Sequence, residues 1–240
     1  MPANNNIILD RTGPRIKTSV TAIGDHQGGS GTKTGGKQKA VGEVRIGTLN
    51  VGSMTGRGRE VADMMARRGV NALCVQETRW KGAKAREICG GCKLFYYGEG
   101  GRKGVGIVLD GELKENVINV ERISDRVIWM QLEINNEAVN IVSAYAPQVG
   151  CTREEKETFW KQMDGVIEKF KREERLFICA DLNGHVGGGN KGDERWIGKH
   201  GYGVRNDEGK EIVRFATRSD TAVLNTFYKK REDHVQRIND

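Results

Sequence analysis

Four stretches of the chain share one pattern: an apolar run that stops abruptly on a polar residue. Phe177, Ile178, Cys179 and Ala180 run into Asp181, and Asn183 and Gly184 follow. The run from Val44 to Leu49 leads to Asn50, and that from Ala72 to Val75 leads through Gln76 to Glu77. A fourth, from Val139 to Ala144, leads to Tyr145, where Pro147 forbids continuation. Short apolar runs bounded in this way predict buried strands. Side chains on a strand repeat every second residue, so Asp181 and Asn183 are expected to point the same way.

Between these runs the periodicity changes. Val61, Met64 and Met65 predict a helix over residues 59–68, ended by Gly69. Phe159, Met163, Val166, Ile167 and Phe170 predict a longer helix over 152–170, opened by Thr152 with Glu155 completing a capping box. Ile212, Phe215 and Ala216 predict a third over 208–218. Strands are expected at 94–97, 105–109 and 221–225, with a hairpin of 127–134 and 139–146 turning at Asn135-Asn136. This order of elements predicts an α/β sandwich with helices outside packed sheets. Residues 1–42 carry no such period, and the Gly-, Thr- and Lys-rich stretch 28–37 reads as part of a flexible basic arm. Residues 43–228 are expected to form the domain, and 229–240 a polar tail.

Composition narrows the classes. The 240 residues suit one large α/β domain, and the five cysteines are an odd number for a disulfide scaffold. A reducing, intracellular setting, nuclear or cytoplasmic, is expected. No apolar run is long enough to span a membrane, and no signal peptide is visible. The net charge of +7 favours a polyanionic partner such as nucleic acid. Arg57, Arg59, Arg67, Arg68, Arg79, Lys81, Lys84 and Arg86 crowd the region around Glu77, either facing nucleic acid or as solvated helix faces. Cys89 and Cys92 form a lone C-x-x-C without further zinc ligands and read as free thiols. His185 and His200 read as loop histidines; Trp80 and Trp196 could stack on bases or pack at the rim.

The strand-end residues allow a definite chemistry. Glu77 can hold a hard cation such as Mg²⁺, which needs few carboxylates because it keeps several waters. Asn50 can add a neutral oxygen ligand or support the carboxylate. Asp181 can take a proton from attacking water, Asn183 can hold that water or a phosphate oxygen, and Tyr145 can donate to developing charge. Together they suit metal-assisted hydrolysis of a phosphodiester. The alternative is a set of strand-end polar groups that satisfy one another.

The ordered motifs Thr48-Leu49-Asn50, Gln76-Glu77-Thr78, Gly104-Val105-Gly106-Ile107, Tyr145-Ala146-Pro147 and Asp181-Leu182-Asn183 resemble the endonuclease/exonuclease/phosphatase superfamily. Within it they are most similar to the apurinic-type endonuclease domain of LINE retrotransposons of the RTE or Bov-B kind, and to the craniofacial development protein 2-like proteins derived from them. The resemblance covers about residues 44–230. It implies a four-layer α/β sandwich of two packed mixed sheets with outer helices, and Mg²⁺-dependent nicking of DNA, with Mn²⁺ as the alternative ion. It implies Asn50 and Glu77 at the metal, Tyr145 on phosphate, Asp181 and Asn183 as base and partner, and Thr226 on DNA. A monomer without membrane association is expected. The family closes on an Asp strand and a His motif that have no clear counterpart here, Arg237-Ile238-Asn239-Asp240 being a faint match. The domain is therefore expected to be C-terminally incomplete, with bare sheet edges and impaired cleavage. The alternatives are an inactive module that binds nucleic acid or protein, and a phosphatase acting on small phosphoesters.

Overall fold

A computed structural model describes residues 5–10, 18–22, 44–189 and 192–229. In chain order the elements are β1 (Asn5–Asp10), β2 (Thr18–Ala22), β3 (Val44–Asn50), α1 (Gly58–Arg68), β4 (Ala72–Gln76), β5 (Gly82–Glu87), β6 (Lys93–Gly98), β7 (Val105–Leu109), β8 (Val117–Ser124), β9 (Val127–Ile134), β10 (Glu137–Tyr145), α2 (Arg153–Ile167), β11 (Arg175–Asp181), α3 (Asp207–Arg218) and β12 (Thr221–Val223). They build two six-stranded sheets, ordered β12-β1-β11-β10-β9-β8 and β2-β3-β4-β7-β6-β5. Both are mixed: β10 runs parallel to β11, and β2, β3 and β4 are parallel, while the other pairings are antiparallel.

Strand alternation divides the apolar residues among three cores. Val142, Ala144, Ile178 and Ala180 of the first sheet pack with Phe159 and Met163 of α2 and Ile212 and Phe215 of α3. Leu73, Val75 and Val108 of the second sheet pack with Val61, Met64 and Met65 of α1. The remaining faces meet each other, with Val44, Ile46, Ala72 and Cys74 against Val139, Ile141, Phe177 and Cys179. The result is helix, sheet, sheet, helix: the expected four-layer sandwich. Along the middle core each row turns from apolar to polar at one end. Val44, Ile46 and Thr48 lead to Asn50; Val139, Ile141 and Ser143 lead to Tyr145; Phe177 and Cys179 lead to Asp181.

Local signals account for the boundaries. Gly69 takes the left-handed conformation that closes α1 (φ 61°). The Thr152 hydroxyl accepts from the Glu155 amide while the Glu155 carboxylate accepts from the Thr152 amide, opening α2. Asn135 and Asn136, with φ of 53° and 62°, make the tight β9–β10 turn.

The N-terminal arm needs correcting in two places. Asn5–Asp10 and Thr18–Ala22 are strands, β1 lying between β11 and β12 and β2 pairing with β3. The strands that carry Asp181 and Asn50 are thus covered, where bare edges were expected. Short runs such as Ile7-Ile8-Leu9 announce nothing locally because their pairing partners lie far along the chain. The glycine-rich stretch 28–37 and the tail beyond Lys229 lie outside the described residues. β5 and β8 were not expected at all, α2 stops at Ile167, and the strand at 221–225 gives way after Val223 to a short 3₁₀ turn. No helix among the described residues is long and apolar enough to cross a membrane.

Candidate active site

The polar ends of the middle rows converge. The second sheet supplies Asn50 from the end of β3 and Glu77 from just beyond β4; the first supplies Tyr145 from β10 and Asp181 from β11. Asn50 is the meeting point. Its amide nitrogen donates to Glu77 Oε1 (2.9 Å) and to Asp181 Oδ2 (3.0 Å), so one carboxamide joins carboxylates from both sheets. The Tyr145 hydroxyl donates to the same Glu77 Oε1 (2.8 Å) and accepts from the Gln148 amide (3.1 Å). Arg79 Nη2 donates to Glu77 Oε2 (3.0 Å).

Backbone geometry delivers these groups. Leu73 and Val75 face α1, and simple alternation would send Glu77 to that side as well. β4 instead ends at Gln76, and Glu77 takes φ 56° and Arg79 φ 54°. Left-handed backbone costs a residue with a side chain about 1–2 kcal/mol, and such strain gathers at functional sites. Here the neighbouring loop holds it in place. The Thr78 amide donates to the Gly104 carbonyl (3.1 Å) and the Arg79 amide to that of Lys103 (2.9 Å). Gly104 must be glycine, since a Cβ there would lie 2.3 Å from Thr78 Oγ1.

Asn183 is the third strained residue of the site (φ 48°). The strand has ended at Asp181, so strand period does not orient it. Its backbone amide donates to Asp181 Oδ1 (3.3 Å), and its side-chain nitrogen donates to the Ala146 carbonyl (2.8 Å). It fixes the Asp181 loop to the residue after Tyr145. Of the two roles expected for Asn50, the observed bond to Glu77 is that of support for the carboxylate. The Asn50 side-chain oxygen accepts from the Gly52 amide (3.0 Å), which fixes the orientation of the carboxamide. It presents donors to the two carboxylates. Thr226 stands apart from the cluster. It is buried, its hydroxyl donating to the Val223 carbonyl (2.6 Å) and accepting from the Gly198 amide (2.7 Å). It ties a loop to β12 and has no free group for DNA.

Three contributors went unassigned in the sequence. Arg79 stood only within a basic cluster, although it lies two residues from Glu77. Gln148 directly follows the Tyr145-Ala146-Pro147 motif. Arg126 lies buried with its guanidinium 5.5 Å from the Tyr145 ring centre, and its Nη1 donates to the Tyr145 carbonyl (3.1 Å). Only its long-range position marks it.

The charges follow from these contacts. Burial pushes the Glu77 carboxyl up, but hydrogen bonds from Asn50, Arg79 and Tyr145 and the charge of Arg79 outweigh it, and the group titrates below its ordinary range. Burial, then the bond to Glu77 and the charges of Glu77 and Asp181, push the Tyr145 hydroxyl well up, so it stays a proton donor. Among the described residues no three of His, Cys, Asp and Glu converge as a metal cage. The donor set still fits Mg²⁺ or Mn²⁺: two carboxylates share one amide, and such ions take oxygen ligands and keep much of their water. Glu77 is the residue placed to hold the ion, with Asp181 beside it. A bound ion would supply charge neutralisation at a phosphoryl oxygen.

Arg57, Arg79, Lys81, Lys84, Arg86 and Arg102 are exposed; Arg79 contacts Glu77, and Lys84 and Arg86 lie on β5 at the edge of the second sheet. Trp80 is less available than expected. Arg86 lies over its ring at 5.4 Å, Tyr96 meets its edge, and its indole nitrogen donates to Thr55.

The fold has known counterparts. Across 72% of this chain and 69% of its own length, an AP endonuclease from Archaeoglobus fulgidus superposes with a TM-score of 0.51 at 16% identity. The 3′-5′ exonuclease NExo from Neisseria meningitidis superposes with 0.50 at 17% identity, over 75% of this chain and 70% of that one. In sequence, the chain is 25% identical to craniofacial development protein 2 of Bos taurus over 192 residues, 78% of this chain and 32% of that protein. A match of 24% over 192 residues relates it to the same protein of Tragulus javanicus, 33% of which is covered. The chain thus spans about a third of the length of these curated relatives. No protein-family model matches it. It is similar to craniofacial development protein 2 and has the endonuclease/exonuclease/phosphatase fold.

Proposed function

We propose that the chain is a retrotransposon-derived, Mg²⁺-dependent DNA endonuclease domain that nicks a phosphodiester by attack of water. The observation that carries the reading is the meeting of Glu77 and Asp181, from separate sheets, on the single amide of Asn50, with the Tyr145 hydroxyl and Arg79 on the same carboxylate. Asp181 takes the proton from the attacking water. Tyr145 and Arg79 are donors already aimed at negative charge, and they face the charge that develops on the phosphate oxygens. Glu77 holds the ion. The exposed arginines and lysines between residues 57 and 102 favour a polyanion over a small phosphoester. The retrotransposon origin is supported by the ordered motifs from Asn50 to Asn183.

The test is conversion of supercoiled plasmid to the nicked circle with Mg²⁺, with EDTA, and with Asp181→Ala. Nicking that requires both the ion and Asp181 is expected. Turnover of a small phosphoester without nicking would replace this reading with a phosphatase. A second reading is favoured by one observation: both Glu77 oxygens already have partners, so the cluster is self-satisfied without substrate. In that reading the domain binds DNA without cleaving it. Salt-sensitive binding with no nicked product at any Mg²⁺ concentration would select it.

A further inference from the structure

We propose that Gln76 is a positioning residue whose buried amide sets how the two sheets meet and thereby brings the two halves of the site together. Asn50 and Glu77 belong to one sheet, Tyr145 and Asp181 to the other. Their convergence demands a fixed offset between sheets whose shared core is mostly apolar. Apolar contact is non-directional and cannot by itself define that offset. Gln76 adds direction. It is fully buried, and its Nε2 lies 3.1 Å from Thr48 Oγ1 on its own sheet. Across the gap the same nitrogen lies 3.3 Å from Ser143 Oγ and 3.3 Å from the Cys179 carbonyl. The Thr48 hydroxyl donates back to Gln76 Oε1 (3.3 Å), and the Ser143 hydroxyl crosses to the Val75 carbonyl (3.3 Å).

The placement of the partners is the telling part. Thr48, Ser143 and Cys179 each stand two residues before Asn50, Tyr145 and Asp181, on the same face of the same strand. The clamp is therefore the layer directly beneath the site. A core built for stability alone would be served by hydrocarbon here, because a buried amide contributes little net stability even when satisfied. A satisfied polar network instead specifies one arrangement of the groups around it.

The proposal rests on the endonuclease reading only where activity is measured, so its test has an arm that needs no activity. Gln76→Met keeps the volume and removes the amide. Asn140→Leu is the control: an equally buried amide that bonds Glu174 (2.9 Å) on the helix side of the first sheet. In each background the coupling between Asn50→Ala and Asp181→Ala is measured by urea unfolding. Loss of that coupling with Gln76→Met, and its retention with Asn140→Leu, is expected. In plasmid nicking, kcat falls by about 10²-fold with Gln76→Met while KM is little changed, as for a misplaced rather than a missing group. If Gln76→Met does not fold, Ser143→Ala removes one cross-sheet partner and weakens the same coupling. Coupling that persists undiminished in Gln76→Met, or in Ser143→Ala where that variant is used, overturns the proposal. Absence of nicking by the unsubstituted chain would overturn the endonuclease reading and leave the unfolding cycle to decide the clamp.

Discussion

The protein contains two partly buried clusters with the same chemistry and different architecture. At one, Asn50 donates to Glu77 at 2.9 Å; at the other, Asn140 donates to Glu174 at 2.9 Å. Both asparagines sit on strands, and each cluster has a further amide, Gln148 in the first and Gln131 in the second. The Asn140 cluster belongs to one sheet and the segment leading into β11, and its residues have ordinary backbone. The Asn50 cluster joins two sheets and adds an arginine and a tyrosine to one carboxylate. It also holds Glu77, Arg79 and Asn183, three of the six non-glycine residues with positive φ among the described residues. An Asn–carboxylate pair is thus a structural device in one place and a candidate reaction centre in the other. What separates them is strain held by neighbouring loops and donors gathered from independent elements.

The comparison breaks most plainly on activity. Asp181→Ala should lower plasmid nicking by about 10²–10⁴-fold, the scale of a lost general base. Asn140→Ala should leave nicking within about twofold, since misplacement must reach the site to matter. Equal losses from the two variants would erase the distinction. Tyr145→Phe removes one donor without altering shape and should cost roughly 10²-fold in kcat. An unchanged rate would make the tyrosine as structural as Gln131.

On stability the order reverses. Asn140→Ala removes a fully buried amide and one of the two donors to Glu174, Gln131 being the other, and should destabilise by about 1–2 kcal/mol in urea unfolding. Asn50→Ala should cost less than Asn140→Ala, because Asn50 is only partly buried and Glu77 keeps Tyr145 and Arg79 as partners. The smallest effect lies in the pH dependence. The Glu77 carboxyl is held below its ordinary value of 4.5, so its contribution to stability is fully present above that value and is lost as pH falls through the lower folded value. Glu77→Gln should flatten the acid limb of the stability curve below pH 4.5, read by thermal unfolding at a series of pH values.

Much of this was legible in the sequence where the cause is local. Gly69 closing α1, the Thr152–Glu155 capping box and the Asn135-Asn136 turn act within a few residues, and each lies where its signal placed it. The apolar runs ending on Asn50, Tyr145 and Asp181 gave the strands of the middle core. What stayed hidden depends on distant partners. β5 and β8 are edge strands with exposed residues such as Lys84, Arg86, Ile118 and Asn119, so they lack a clean buried face. β1 and β2 are defined by pairing with strands from elsewhere in the chain. Thr226 resembled a surface group because its burial is imposed by a loop some thirty residues earlier, through Gly198. The Asn50 carboxamide is oriented by the Gly52 amide, a contact no motif records.

One pairing also orders events during synthesis. Asn5 lies beside Asp181, and Ile8 beside Val223, so a segment made early fills an interior place in a sheet whose neighbouring strands are made much later. Elongation at about 5–20 residues per second leaves that segment waiting for on the order of ten seconds or more. The second sheet from β3 to β7 can pair within residues 44–109 well before then. Most of the second sheet is thus free to assemble first, while the Asp181 half closes only after β11 and β12 have been made. Asn50 and Glu77 can therefore meet Tyr145 and Asp181 only after β11 has been made.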